Sequence, residues 1–213
     1  MGNILQDIRY SFRQMKKSLA FTSLALLLLA LGIGANTAIF SLVNMVLLRP
    51  LPVEKAAELF FIEGKIENSA TDIAAFSYPN YLDFRDRNDV FSGLFVYRYA
   101  SMSLSNQGDN SIIWGFLVSG NYFDILGVKA AYGRTFLPEE DKTFGTHPVV
   151  ILSYRCWRNR FGSAPDLIGK KITLNNYDFT VIGIAPEGFN GTEIAYATEF
   201  WVTTSMVKKV EPT

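Results

Sequence analysis

Two hydrophobic patterns divide the chain. From Ser18 to Leu48 no charged residue occurs, and the run SLAFTSLALLLLALGIGANTAIFSLVNMVLL lies between Lys17 and Arg49. As a helix it would be ~45 Å long, whereas about 20 residues cross a hydrocarbon core. The pattern therefore predicts one transmembrane helix over 18–48. Its more polar second half (Asn36, Thr37, Ser41, Asn44) would continue as a half-wet stalk until Arg49-Pro50 stops it. A cleaved signal peptide competes, since a basic start and the small-residue stretch ANTA are both present. The apolar run, however, exceeds the roughly 7–15 residues of a signal h-region.

Upstream, Leu5, Ile8, Phe12, Met15 and Leu19 recur at steps of three and four, an apolar helical stripe. Residues 1–17 are thus expected to form a cytoplasmic amphipathic helix on the inner leaflet; the frayed cytoplasmic end of the membrane helix is the plainer alternative. Arg9, Arg13, Lys16 and Lys17 stand against Asp7 alone, while Arg49 and Lys55 after the span are matched by Glu54 and Glu58. The excess of basic residues puts the N-terminus in the cytoplasm and everything after about residue 49 outside. Within the span, Ala30, Gly34 and Ala38 form a small-xxx-small stripe suited to helix packing, although small residues are common in membrane helices anyway. Asn36 and Asn44 favour a partner helix or water over lipid.

After Pro52 the pattern becomes mixed and shorter in period. Strands are expected at Leu59–Gly64, Ser92–Leu104, Ile112–Val118, Val149–Leu152, Ile172–Leu174, Phe179–Ile184 and Phe200–Thr203. Helices are expected at Pro79–Asp89, Asn121–Leu126 and Tyr154–Phe161. Asn175-Asn176 marks a hairpin turn. Strands and helices alternate irregularly, so residues 49–213 read as an α+β extracytoplasmic domain, in two small layers around one core.

Composition narrows the function. Twenty basic and 20 acidic side chains balance, with 49% hydrophobic residues; this opposes disorder and a nucleic-acid partner. The single cysteine, Cys156, excludes an internal disulfide and reads as a buried small residue. His147 is the only histidine and reads as a loop residue without a nucleophile beside it. Gly162–Lys171 superficially resembles a phosphate loop, but its glycines are too far apart and a lysine stands where Ser or Thr would hold magnesium. Glu139-Glu140-Asp141 reads as a solvated helix start, and Asn190-Gly191-Thr192 as a glycosylation sequon or a plain turn. The dense aromatics Phe76, Tyr78, Tyr81, Phe84, Phe91, Phe95 and Tyr97 are assigned to core packing, with a groove lining as the alternative. No catalytic site, cofactor or metal is implied, and a nucleophile–base pair for an anchored hydrolase is missing.

The segments ILQDIRYSFRQMKKSLAFT and LALGIGANTAIFSLVNMVLLRPLP resemble the start of MacB-like ABC transporter permeases, nearest to the large duplicated FtsX-like permeases of acidobacteria. FSYPNYLDFRDRNDVFSGL, VSGNYFDILGVKAAYGRTF, VVILSYRCWRNRFG, LIGKKITLNNYDFTVIGIAPEGFNG and FWV resemble successive blocks of that family's periplasmic core domain. The resemblance implies an inner-membrane subunit with one membrane helix, an outer domain and three further helices. It implies pairing with a cytoplasmic ABC ATPase, contact with other permease helices or a second permease copy, and a possible periplasmic adaptor. ATP hydrolysis inside would move the outer domain for export or efflux, with no catalytic residues in the permease itself. Against that pattern the chain is expected to be the N-terminal portion of a longer product. A single-pass anchored binding module or a truncated remnant is the alternative.

Overall fold

The computed structural model describes residues 3–44, 51–62, 64, 76–106, 109–193 and 196–211. They form two compact units, divided between Arg49 and Pro50. In the first, α1 (Asn3–Lys17) and α2 (Leu19–Val43) are separate helices. Ser18 leaves helical geometry at φ −125°, ψ 63°. Its hydroxyl donates to the Gln14 carbonyl and that of Thr22 to the Met15 carbonyl, so side chains satisfy backbone groups the break would orphan. Along α1 the basic residues Arg9, Arg13, Lys16 and Lys17 are exposed, as are Ile8 and Met15 of the apolar stripe; for Leu5 and Phe12 the backbone alone is described. Leu24, Leu26–Leu29, Leu31 and Ile33 of α2 are all exposed. Residues 45–48 of the predicted span lie outside the described set.

The second unit is built on a seven-stranded sheet. Strand β1 (Tyr97–Asn106) and β2 (Asp109–Val118) form a long antiparallel hairpin. The turn Asn121–Leu126 holds α4 (Tyr122–Ile125), and β3 (Tyr132–Gly133) follows. Next come β4 (Val149–Leu152), α5 (Tyr154–Phe161), β5 (Lys171–Leu174), β6 (Tyr177–Ile184), β7 (Phe200–Thr203) and a last turn, α6 (Val207–Val210). Before the sheet lies α3 (Tyr78–Asp86).

Local chemistry sets these boundaries. Ser77 and Ser153 cap α3 and α5 by accepting from the Asn80 and Cys156 amides. Gly162, at φ 58°, ends α5 in the left-handed conformation. Asn175 and Asn176 both have positive φ and turn β5 into β6. Helix α3 stops before the predicted Asp89 because the Asn88 side-chain Oδ1 accepts from the Val90 and Phe91 amides, a competing turn. Strand β1 begins at Tyr97, not Ser92, because side chains claim the preceding backbone: Asn121 and Tyr81 donate to the Leu94 carbonyl, and the Val96 amide donates to Ser119 Oγ. The predicted strand at Leu59–Gly64 is absent over its described residues apart from an isolated bridge at Gly64; Phe60, Phe61 and Ile62 are exposed, and Glu63 is not described.

The pairings run β6-β4-β7-β2-β1-β5 and return from β5 to β6, so six strands close into a ring with β3 as an appendage. The expected α+β class holds, with the strands of its two small layers joined into one ring around the core. All six ring strands feed one buried cluster, including Met102, Ile113, Leu152, Leu174, Phe179 and Phe200, joined by Cys156 and Trp157 of α5. The opposite sheet face carries Phe116, Val118, Val149, Ile151, Ile182 and Trp201, covered by Tyr122, Phe123 and Leu126 around α4. Burial on both faces explains why Val149–Leu152 is a continuous apolar run instead of an alternating one. Strands β2 and β7 approach closely at Gly115, where an added Cβ would lie 2.1 Å from the Phe200 carbonyl oxygen.

Candidate functional site

The residues singled out in the sequence separate cleanly by environment. On α2, Ala30, Gly34 and Ala38 fall on one helical face and are all exposed, and a Cβ at Gly34 would meet no atom within 4 Å. That stripe is unoccupied among the described residues, as is the apolar surface around it. In the outer unit, Cys156 is buried against α5's neighbours, and burial pushes its thiol up to about 12, which makes it a packing residue. His147 lies in a loop beside Thr146 Oγ1, 2.8 Å from its Nδ1. The stretch Gly162–Lys171 is a chain reversal: two left-handed residues, a 3-10 turn at Pro165–Leu167, then Gly169 at φ 83° leading into β5. Among the described residues no three His, Cys, Asp or Glu side chains converge as metal ligands.

Glu139-Glu140-Asp141 departs from expectation. It is a 3-10 turn, not a solvated helix start, and Glu140 is only 4% exposed. Glu140 takes a two-point ion pair from Arg134 (2.7 and 2.9 Å) and a bond from the Leu137 amide. Burial alone would raise its carboxyl. The Arg134 guanidinium, that amide and the nearby His147 outweigh burial and hold it below the usual range. Asp141 joins three segments: one oxygen accepts from the Gly120 amide (2.9 Å) and Tyr78 hydroxyl (3.5 Å), the other from the Thr204 hydroxyl (2.9 Å) and Ser205 amide (3.0 Å). The Glu140 carbonyl accepts from Ser205 Oγ at 3.1 Å. This acid pair clasps the end of β7 to the β2–α4 turn and to α3. A second clasp joins α5 to the sheet: Arg160 meets Glu199 at 2.6 Å and Ser111 Oγ at 2.8 Å. Neither clasp was legible in the sequence, because the segments that each one joins lie tens of residues apart.

The aromatics fit their assignment to the core in part: Tyr81 is buried, and Phe95 and Tyr97 pack against the buried cluster beneath α4. Of the seven named, only Tyr81 is buried; Phe84 and Phe91 are exposed, and the rest are half-buried. On the outer face of the β1–β2 hairpin Tyr99 stacks on Trp114 (5.3 Å) and meets Tyr196 (4.6 Å) and Phe116 (5.7 Å). Trp114 and Tyr196 remain 44% and 45% exposed. The strip extends through Tyr97 to the exposed Phe61. Exposed contiguous aromatic surface of this kind is the property of interaction faces. Elsewhere, Tyr154, Arg158, Glu187 and Phe189 line a surface depression of about 180 Å³.

The exposed apolar helix α2 is long enough to cross a membrane, and the α+β ring domain that follows it in the chain carries an exposed aromatic face. The chain belongs to the family described as the MacB-like periplasmic core domain, whose profile matches residues 22–211. It is 34% identical over 70 residues to the macrolide export ATP-binding/permease protein MacB of Escherichia coli K12, and equally to that of Shigella flexneri. The matched stretch covers 33% of this chain and 10% of those relatives. Its fold is similar to the periplasmic region of MacB from Actinobacillus actinomycetemcomitans (TM-score 0.52, 15% identity, 68% of this chain and 64% of that one). It is also similar to the extracellular domain of the noncanonic ABC-type transporter YknZ from Gram-positive bacteria (TM-score 0.53, 18% identity, 69% and 73%). The chain is thus a MacB-like periplasmic domain of an ABC-type transporter permease, carried behind an N-terminal apolar helix.

Proposed function

We propose that the chain is the N-terminal portion of an inner-membrane permease subunit that converts ATP hydrolysis by a cytoplasmic ABC ATPase into movement of its outer domain, for export or efflux. The family match carries this reading, because it begins inside α2 and runs to residue 211, so helix and outer domain belong to one unit of inheritance. In this account residues 1–17 lie on the cytoplasmic leaflet, 18–48 form the span and stalk, and 49–213 belong to the extracytoplasmic domain. The basic residues of α1 support that direction. Ala30, Gly34 and Ala38 would receive another permease helix or a second copy. Movement would pass into a domain whose own strands are held together by the ring closure and two clasps. A periplasmic adaptor would meet the outer surface.

The test is recovery of the tagged protein from native membranes after mild crosslinking. An ABC ATPase and further permease helices should accompany it. A strictly monomeric membrane helix with no ATPase partner would remove the main support. The exposed Tyr99–Trp114–Tyr196 face favours one second reading, a single-pass anchored binding module that captures a partner without moving it.

A further inference from the structure

Helix α1 carries four basic residues, Arg9, Arg13, Lys16 and Lys17, all exposed, and Asp7 is the only acid among residues 1–17. At 3.6 residues per turn these cations do not scatter around the helix. Lys16, Arg9, Arg13 and Lys17 follow one another, in that order, around one flank of the apolar stripe at positions 5, 8, 12 and 15. Positions 7, 11 and 14 fall on the other flank, and position 10 lies opposite the stripe. The row Arg9–Arg13–Lys16 repeats at i, i+4 and i+7, so it runs beside Ile8–Phe12–Met15, which has the same spacing.

Within the helix this row is a cost. Like charges three or four positions apart repel and weaken an isolated helix. No basic residue stands three or four positions from Asp7, where a helical ion pair would form. The helix dipole favours cations in the last turn, which accounts for Lys16 and Lys17 but not for Arg9 in the middle. The positive-inside preference counts lysine and arginine wherever they fall near a span and does not ask for one flank. Cations lined up along the border of an apolar face match one environment, the boundary between acyl chains and negatively charged headgroups. The break at Ser18, at φ −125° and ψ 63°, means that α1 need not continue the axis of α2.

We propose that the Arg9–Arg13–Lys16 flank of α1 binds anionic phospholipid headgroups of the cytoplasmic leaflet. This rests on the reading that residues 1–17 lie on that leaflet, and adds the class of lipid they select. The apolar stripe sinks among the acyl chains, the three cations pair with negatively charged headgroups, and Tyr10 faces the cytoplasm. Because the cations occupy one flank only, an anionic leaflet fixes the rotation of the helix as well as its depth. The Ser18 and Thr22 hydroxyls, bonded to the Gln14 and Met15 carbonyls, tie this end to the start of α2. Lipid charge thereby sets where the membrane helix begins.

Spin labelling of the full chain in phosphatidylcholine nanodiscs, with and without phosphatidylglycerol, tests this. Single labels are placed at Ile8→Cys on the stripe and at Tyr10→Cys on the opposite face, while the buried Cys156 takes none. Accessibility to a water-soluble nickel complex and to oxygen reads the depth of each label. Phosphatidylglycerol should draw the position 8 label into the bilayer and leave the position 10 label in water, and high salt should reverse the gain. Arg9→Gln, Arg13→Gln and Lys16→Gln should each lower the inserted-to-exposed ratio in anionic discs about fivefold, ~1 kcal/mol, without changing it in neutral ones. A position 8 label equally deep in both lipids overturns the lipid selection and leaves the leaflet placement standing. A position 8 label in water in both lipids overturns the two readings together and leaves this face to a protein partner. If the glutamine variants do not fold, the lipid comparison with the basic flank intact decides by itself.

Discussion

The two units of the chain treat apolar residues in opposite ways. Helix α2 presents leucine after leucine to its surroundings and buries almost nothing, whereas the outer unit turns Phe179, Phe200 and Trp201 wholly inward. Length separates the two cases. A long uncharged run satisfies its backbone internally as a helix, which makes lipid an acceptable solvent. The short runs of the outer unit satisfy theirs by pairing with strands far away in the chain, and water then drives their side chains together. Each unit therefore depends on a different solvent, and substitutions should separate them.

The largest effect belongs to the ring core. Phe179→Ala should destabilise the outer unit by about 3–5 kcal/mol, read as a lowered unfolding temperature, while membrane retention stays unchanged. Leu28→Arg should do the reverse. A basic residue near the centre of a membrane helix costs about 2.5–3.5 kcal/mol, so the protein should shift toward the soluble fraction with its outer-domain circular dichroism intact. Should Leu28→Arg unfold the outer unit as well, the two units are not independent in the way described.

Smaller effects probe the clasp. Asp141→Asn replaces charge-assisted bonds to Gly120, Thr204 and Ser205 and should cost about 1.5–3 kcal/mol in the outer unit alone. Glu140 adds a pH dependence whose sign follows from its lowered carboxyl. The unfolded chain holds that proton more tightly, so the stabilisation is complete above the ordinary carboxylate range. It is lost as pH falls through the depressed value. Unfolding followed by denaturant titration should show this loss in the parent and a flatter profile in Glu140→Gln. The smallest effect is on α2, where Gly34→Leu should weaken helix association by no more than about 1 kcal/mol, visible as reduced crosslinking and silent in outer-domain stability.

How much of this was legible in the sequence follows the same division. The uncharged run, the buried strand Val149–Leu152 and the turn at Asn175-Asn176 are local, and local patterns name them. The ring closure is not local: β5 reaches β1 across some 70 residues, through Leu104 and Leu174. Nor is the role of Asp141, whose partners Gly120 and Ser205 lie 21 and 64 positions away. Read alone, three adjacent acids looked solvated. Phe84 and Phe91 are exposed for a related reason, since local pattern shows which side chains share a face but not whether anything covers it.

The central claim is that α2 places the two regions on opposite sides of a membrane. Labelling intact spheroplasts with a membrane-impermeant maleimide tests it most directly, using Gln6→Cys on exposed α1 and Ile112→Cys on the exposed face of β2. The native Cys156 is buried with a raised thiol and should stay silent. The account predicts immediate labelling at position 112, and labelling at position 6 only after permeabilisation. Labelling at position 6 in intact spheroplasts, with position 112 protected, would contradict it.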